Sequence, residues 1–232
     1  MSLPERKGHG PFGLLTRIHD WQSQTTAFRG RPGSGMKTDL MRGDLPVIFL
    51  HSPKTAGISL SRLLGVERLS HSWARNRLSE RHWLQSYSVT IVRHPFERFL
   101  SGYYDHILKP NRNGLVKMYG WDIKNITAHD YLDVLAANPK YGGSQLFWTD
   151  YPSKVKPRAD LVLRFEKIKN WKDVLLTAGI DVSSRDLSHR NKSERGTSNH
   201  LERLGLSADG FKQLERDVQA FFAADYKAFG YE

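Results

Sequence analysis

The sequence predicts an α/β domain, a three-layer arrangement in which helices flank a central, mostly parallel sheet. Three runs rich in β-forming residues, at positions 47–50, 88–92 and 161–165, indicate strands, and the continuous apolar run at 47–50 is typical of a strand buried on both faces. Each run is followed by a segment whose apolar residues recur at helical spacing. Strands that alternate with helices form parallel sheets, because the chain must cross over between parallel neighbours.

The helices are predicted from the spacing of apolar residues. The first follows Gly57, directly after the polar loop that ends the first strand. The second begins at Pro95, since a proline in the first turn of a helix loses no hydrogen bond there, and it continues to Ile107. A third runs from about residue 170 to 178 and ends at Gly179. The last amphipathic helix uses Phe211, Leu214, Val218, Phe221 and Phe222.

Composition divides the chain into two predicted parts. Residues 1–44 form an irregular N-terminal extension, because glycine and proline recur there, with a short helical piece around 14–21. Residues 45–232 form a single α/β domain. Within it, residues 109–158 are rich in Asn, Gly, Tyr and Trp and are predicted to be an irregular or lid-like insertion.

The residue content excludes several classes of protein. The chain has 232 residues and no cysteine, which rules out disulfide frameworks, thiolate nucleophiles and cysteine-based zinc sites. No run approaches the roughly 18 apolar residues of a membrane span, and the N-terminus lacks the apolar stretch of a secretory signal. We therefore expect no membrane span and a cytoplasmic location.

The formal charge of +11, from 35 Lys and Arg against 24 Asp and Glu, predicts an anionic partner. The partner could be a nucleic acid, a phosphorylated nucleotide or an acidic polymer. Alternatively, the positive charge is spread over the surface and serves only solubility. The choice among them depends on local motifs.

The loop after the first strand has the composition of an anion site. Lys54 stands between a strand and a helix whose first amides point into the loop, Gly57 allows close approach, and Thr55 and Ser59 supply hydroxyls. The alternative is a turn with a surface lysine. The nucleotide-kinase pattern GxxxxGKS/T is absent, and the second strand ends in Arg93 rather than in an aspartate that could hold magnesium.

A second cationic loop follows the second strand. Arg93 stands at the strand end, where a planar fork of donors suits a phosphate, and Ser101 lies about two turns into the next helix. The alternatives are a capping arginine and a serine on the helix surface. In parallel sheets, ligands bind beyond the carboxyl ends of the strands, so both loops are expected at one edge.

Two segments resemble those of a known family. Residues 48–60, IFLHSPKTAGISL, resemble the 5′-phosphosulfate-binding loop of sulfotransferases that use 3′-phosphoadenosine 5′-phosphosulfate (PAPS), and residues 92–104, VRHPFERFLSGYY, resemble their 3′-phosphate-binding segment. The resemblance is closest to the carbohydrate sulfotransferase branch, sulfotransferase family 2, and its bacterial relatives. It extends in order from residue 45 to the end through the segments SHSWARNRL, GGSQLFW, ADLVLRFEKI, HRNKSERG and DVQAFFAADYKAFGY.

The resemblance implies a P-loop-NTPase-like fold and a PAPS-dependent enzyme that needs no metal. Lys54 would contact the sulfate and the bridging oxygen of PAPS. Arg93 and Ser101 would hold the 3′-phosphate. Independently of the resemblance, the acceptor pocket is expected in the segments with the least informative patterns, which are residues 1–44, residues 109–158 and the loop near 190. The residues that would wrap the 5′-phosphate are Thr55, Ala56, Gly57, Ile58 and Ser59. The product of the donor would be 3′-phosphoadenosine 5′-phosphate (PAP).

A base must accept the proton of the acceptor hydroxyl. His71 is the first choice, because its segment resembles a histidine-bearing segment of the family. The alternatives are His51, His82, His94, His106, Glu97 and Asp105. Further along, the basic residues 189–195 are predicted either to close over the nucleotide or to form a solvated loop.

The predicted function is transfer of a sulfuryl group from PAPS to a hydroxyl on a carbohydrate, which could itself be anionic. The alternative is a basic α/β protein that binds nucleotide or nucleic acid without turnover. No nucleic-acid-binding motif is evident, so no nucleic-acid partner is expected. A nucleotide kinase is disfavoured by the position of Lys54 and the missing magnesium carboxylate.

Overall fold

A four-stranded mixed sheet forms the centre of the computed structural model, which describes residues 36–66, 71–107, 126–186 and 200–232. The strand order is β1-β2-β3-β4. Strand β2 pairs parallel with β3, and β3 pairs parallel with β4, while β1 is antiparallel to β2. The strands are β1 (Lys37–Arg42), β2 (Leu45–Leu50), β3 (Tyr87–Val92) and β4 (Leu161–Arg164).

Helices surround this sheet, so the predicted fold class, a mostly parallel α/β arrangement flanked by helices, is confirmed. The three predicted strands are β2, β3 and β4. The helices are α1 (Gly57–Leu63), α2 (Glu80–Leu84), α3 (Pro95–His106), α4 (Ala128–Ala137), α5 (Leu146–Thr149), α6 (Trp171–Thr177), α7 (His200–Leu204), α8 (Ala208–Phe221) and α9 (Ala223–Phe229). Short 3₁₀ turns lie at Ala74–Asn76, Pro139–Tyr141 and Phe165–Asn170.

Strand β2 is buried on both faces, as its continuous apolar run predicts. Val47 and Phe49 pack with α1 and α6 in one cluster, whereas Ile48 and Leu50 pack with Trp83 in another. A third cluster joins α3, α4 and α8. Strand β2 is central and buried, and the loop that follows its last residue, Leu50, lies at the carboxyl edge of the sheet.

One part of the predicted N-terminal extension is wrong. Residues 37–42 are not irregular but form β1, which pairs with β2 through the register Arg42 opposite Leu45. The turn between them is Gly43–Asp44, with Gly43 at a φ of 56°. Such a two-residue glycine turn is a hairpin signal, and the polar composition of β1 concealed it. The division of the chain into an extension and one domain stays a prediction.

The predicted irregular insertion at 109–158 is also corrected where it is described. Residues 126–158 contain α4 and α5. Thr127 and Asp130 form a capping box at the start of α4, and the helix buries Tyr131 and Leu135 in the core. Positions 108–125 and the helical piece predicted at 14–21 lie outside the described residues.

Among the described residues, no helix combines the length and the apolar content needed to cross a membrane.

Candidate functional site

The loop between β2 and α1 turns sharply around Lys54. Lys54 and Ala56 both adopt left-handed backbone conformations, with φ of 66° and 59°. Such conformations are unfavourable for residues with a Cβ, by about 1 kcal/mol or more each. The buried Thr55 closes the turn, because its hydroxyl donates to the Ser52 carbonyl at 2.7 Å. The rest of the fold therefore offsets the cost of two unfavourable backbone conformations and holds this loop in one shape.

The start of α1 lies directly against a buried histidine. A Cβ on Gly57 would lie 1.9 Å from Cδ2 of His51, so only glycine fits there. His51 is 4% exposed and stacks on Phe49. Gly57, which was predicted to let an anion approach the backbone closely, thus also leaves room for the His51 imidazole.

The remaining loop residues take different positions. Ser59 is buried, and its N–H donates to the Ala56 carbonyl at 3.0 Å. Ile58 is 44% exposed, so any role of this residue toward an anion would fall to its backbone.

Arg93 and Lys54 meet at the carboxyl edge of the sheet. The Arg93 Nη1 group donates to the Lys54 carbonyl at 3.4 Å, and its Nη2 group donates to Glu97 at 3.0 Å. The guanidinium also lies 4.7 Å from the centre of the Phe165 ring. The structure therefore brings the two cationic loops together, as expected from the parallel sheet.

One face of α3 connects both cations. Glu97, Ser101 and Asp105 follow one another at intervals of four residues, which places them on the same side of the helix. Glu97 pairs with Arg93, and Asp105 pairs with Lys54 at 2.8 Å. The partly buried Ser101 lies between these two ion pairs. In this arrangement each of the two cations forms an ion pair with a carboxylate of α3.

His71 joins the same site from the segment before α2. Its ring centre lies 4.3 Å from that of His51, and its carbonyl accepts a hydrogen bond from Trp148 Nε1 at 2.9 Å. Desolvation lowers the pKa of the His71 imidazole, and the Lys54 charge lowers it further, while a hydrogen bond to the His51 backbone raises it. The net effect favours a neutral imidazole, which can accept a proton.

The alternative bases separate into two groups. His82 bonds to Ser79 at the start of α2, and His94 packs edge-on against Tyr226 and Tyr231. By contrast, His106 interacts electrostatically with Lys54 and His71. His51, His106, Asp105 and Glu97 thus lie with the predicted site residues, and His82 and His94 make their contacts elsewhere.

His106 is a second histidine held neutral. Its Nδ1 lies 2.5 Å from the Tyr131 hydroxyl. Burial, and then the Lys54 charge, lower the pKa of His106 to about 4. The pKa of His51 is lowered well below its usual value, first by burial and then by the charges of His71 and Lys54.

We expect acid to destabilise the protein between pH 7 and pH 5. An unfolded chain protonates His106 near pH 6.5, whereas the folded chain does so only near pH 4. The unfolded state therefore binds more protons in this window, and the free energy of unfolding decreases by about 2 kcal/mol from this residue alone. His51 and His71 act in the same direction.

Urea denaturation at pH 7 and pH 5 measures this effect. A His106→Gln variant is the control, and its loss of unfolding free energy should be smaller than that of the wild type. Equal losses in both proteins would contradict the assignment to His106.

Two side chains that the sequence did not assign hold the turn between β3 and α3. The Arg93 N–H donates to Gln145 Oε1 at 2.8 Å, and the His94 N–H donates to Glu166 Oε1 at 2.6 Å. Gln145 is fully buried. It lies in GGSQLFW, one of the segments that resemble the family, and that resemblance was the signal for it, although no role was given to the residue.

Two further expectations concern the basic segment near the C-terminus and metal ions. The basic residues 189–195 lie outside the described residues. Within the ranges that are described, no group of three or more His, Asp or Glu side chains is placed to hold a metal ion.

Comparison with protein families identifies the matched segment. Residues 41–142 match the model of the family described as the sulfotransferase family. Over this segment, which is 102 of the 232 residues, the chain is similar to the sulfotransferase family. Comparison with curated proteins and with solved structures gives no significant match.

The matched segment contains both cationic loops. Lys54, His71, Arg93 and Ser101 all lie within it, whereas Gln145 and β4 follow it. The match supports transfer of sulfuryl groups, a reaction that needs a sulfate donor and an acceptor.

Proposed function

We propose that this protein is a sulfotransferase that transfers the sulfuryl group of PAPS to a hydroxyl group on a carbohydrate. The observation that carries the proposal is the contact between the two cationic loops, in which Arg93 Nη1 donates to the Lys54 carbonyl at 3.4 Å. A donor with phosphate groups at two ends requires two cationic positions in one cleft. Lys54 and Arg93 supply them.

Each end of the donor has a set of residues to bind it. Lys54 and the backbone of Thr55–Ser59 bind the 5′-phosphosulfate, and Arg93 and Ser101 bind the 3′-phosphate. Asp105 and Glu97 pair with the two cations in the free protein. Binding of the donor therefore replaces two carboxylates with the sulfate and the phosphate, which keeps both cations compensated.

The transfer forms one bond and breaks one bond. The acceptor oxygen attacks sulfur, and the bond between sulfur and the bridging oxygen breaks, so that the electron pair stays on the 5′-phosphate of PAP. The Lys54 ammonium stabilises the negative charge that grows on that oxygen. The loop around Lys54 aligns the group for in-line attack, which removes part of the entropic barrier.

His71 accepts the proton of the acceptor hydroxyl. Its lowered pKa keeps the imidazole neutral at physiological pH, as a general base requires. The Trp148 indole holds its backbone, and His51 packs against its ring. The charge that a kinase compensates with magnesium is here compensated by Lys54 and Arg93.

Thermal unfolding with different nucleotides tests the donor. PAP at 100 times its dissociation constant should stabilise the protein by about 2.7 kcal/mol, which raises Tm by roughly 5–10 °C. AMP lacks the 3′-phosphate and ATP carries its phosphates at the other end, so both should stabilise less at the same concentration.

Two outcomes would contradict the proposal. Equal stabilisation by PAP, AMP and ATP would show that the 3′-phosphate is not recognised. Strong, salt-dependent affinity for polynucleotides together with indifference to PAP would favour a nucleic-acid-binding protein without turnover. Transfer of labelled sulfate from PAPS to a panel of sugars then tests the acceptor.

A further inference from the structure

A buried glutamine forms two hydrogen bonds with the backbone of the arginine in the second cationic loop. Gln145 Oε1 accepts from the Arg93 N–H at 2.8 Å, and Gln145 Nε2 donates to the Arg93 carbonyl at 2.9 Å. Both residues are almost fully buried, at 0% and 2% exposure. The amide therefore pairs with Arg93 as a neighbouring strand would, just beyond the end of β3.

Gln145 is itself held in place from the C-terminal helices. Its N–H lies 3.0 and 2.9 Å from the two carboxylate oxygens of Asp225 on α9. The Ser144 hydroxyl also donates to Asp225, and Arg98 on α3 lies 3.8 Å from the same carboxylate. Arg98 in turn donates to the Gly142 carbonyl at 2.9 Å. Asp225 thus holds the backbone from which the Gln145 amide projects, and Arg98 lies next to the same carboxylate.

The guanidinium of Arg93 is constrained at its other end. It lies over the Phe165 ring, donates to Glu97 and contacts the Lys54 carbonyl. An arginine whose backbone and head group are both fixed loses little conformational freedom when an anion binds. A preorganised donor fork discriminates more sharply between ligands that differ by one phosphate.

We propose that Gln145 is a positioning residue that sets the preference of this site for a nucleotide with a 3′-phosphate, and that Asp225 supports it. This inference rests on the proposed function, in which Arg93 binds that phosphate. Gln145 does not touch the nucleotide. It acts through the Arg93 backbone, and its loss lets the guanidinium move away from the position next to Lys54.

The affinities for PAP and for AMP, measured by titration calorimetry, test this role. The two nucleotides differ only in the 3′-phosphate. Gln145→Met keeps the volume of the side chain and removes both hydrogen bonds. We expect its affinity for PAP to fall at least tenfold, while its affinity for AMP changes less than twofold. If Gln145 had a purely structural role, its loss would lower the affinities for PAP and for AMP by the same factor.

Two further variants keep the test sharp. Tyr151→Phe removes a different buried hydrogen bond, from Tyr151 to the Leu78 carbonyl at 2.8 Å, and should leave the ratio of PAP to AMP affinity unchanged. Gln145→Glu keeps an oxygen that accepts from the Arg93 N–H, so its ratio should lie between those of the wild type and Gln145→Met. If circular dichroism shows Gln145→Met to be unfolded, Gln145→Glu carries the test.

The outcomes distinguish this inference from the proposed function. A wild type that does not prefer PAP to AMP overturns both. A wild type that prefers PAP, with Gln145 variants that keep the full preference or lose both affinities equally, overturns the role of Gln145 alone. A collapse of the ratio in Gln145→Met, with partial recovery in Gln145→Glu, supports it.

Discussion

Replacing Lys54 with alanine is expected to lower kcat for sulfuryl transfer by about 10²–10³-fold, which corresponds to about 3–4 kcal/mol of transition-state stabilisation. The reason is that the bridging oxygen gains negative charge as the bond to sulfur breaks, and no other lysine of the described residues pairs with the carboxylates of α3. Steady-state transfer from labelled PAPS measures the effect.

The change at Lys54 should leave the fold intact. The side chain is 22% exposed, and its ion pair with Asp105 is partly solvated, so the pair contributes little to stability. Lys169→Ala is the matched control, because Lys169 is exposed on the turn at Phe165–Asn170 and should retain wild-type kcat. A Lys54→Ala protein that transfers sulfate as fast as the wild type would refute the mechanism.

The His71→Ala variant is expected to lose about 10²–10⁴-fold in kcat, the range that general bases contribute. Its affinity for PAP should stay within a few fold of the wild type, because His71 would act on the acceptor rather than on the donor. In the wild type, kcat should decrease as the pH falls through the lowered pKa of His71, since only the neutral imidazole accepts a proton.

The other histidines provide the control for His71. His82→Ala removes an imidazole that bonds to Ser79 at the start of α2, and it should leave kcat unchanged. If His71→Ala keeps its rate while His106→Gln or Asp105→Asn loses it, the base is one of those neighbours. Transfer rates for the four variants, measured at saturating donor from pH 5 to pH 8, distinguish these cases.

Local patterns predicted the frame of the site. The apolar run of β2 is continuous because both faces of this strand are buried, and that property is visible in the sequence. Polar loops that directly follow parallel strands must lie at one edge of the sheet. The proximity of Lys54 and Arg93 was therefore predictable from the order of strand, loop and helix.

Other features escaped prediction because they depend on partners that are distant in the chain. Strand β1 is polar and owes its conformation to pairing with β2. Helix α4 was hidden in a segment rich in turn-forming residues, although its capping box at Thr127 and Asp130 is a local signal. In both cases the composition of the surrounding segment concealed the element.

By itself, the sequence determined the alternation of strands and helices and the edge at which the two cationic loops meet, because these follow from local periodicity and from the geometry of parallel sheets. Only the tertiary structure decided which side chains surround the cations. Three contacts join residues from separate elements. Lys54 pairs with Asp105, His71 packs against His51, and Gln145 forms a hydrogen bond with the Arg93 backbone. Such contacts are decided by how helices pack, since the position of α3 against the sheet sets which of its side chains face Lys54.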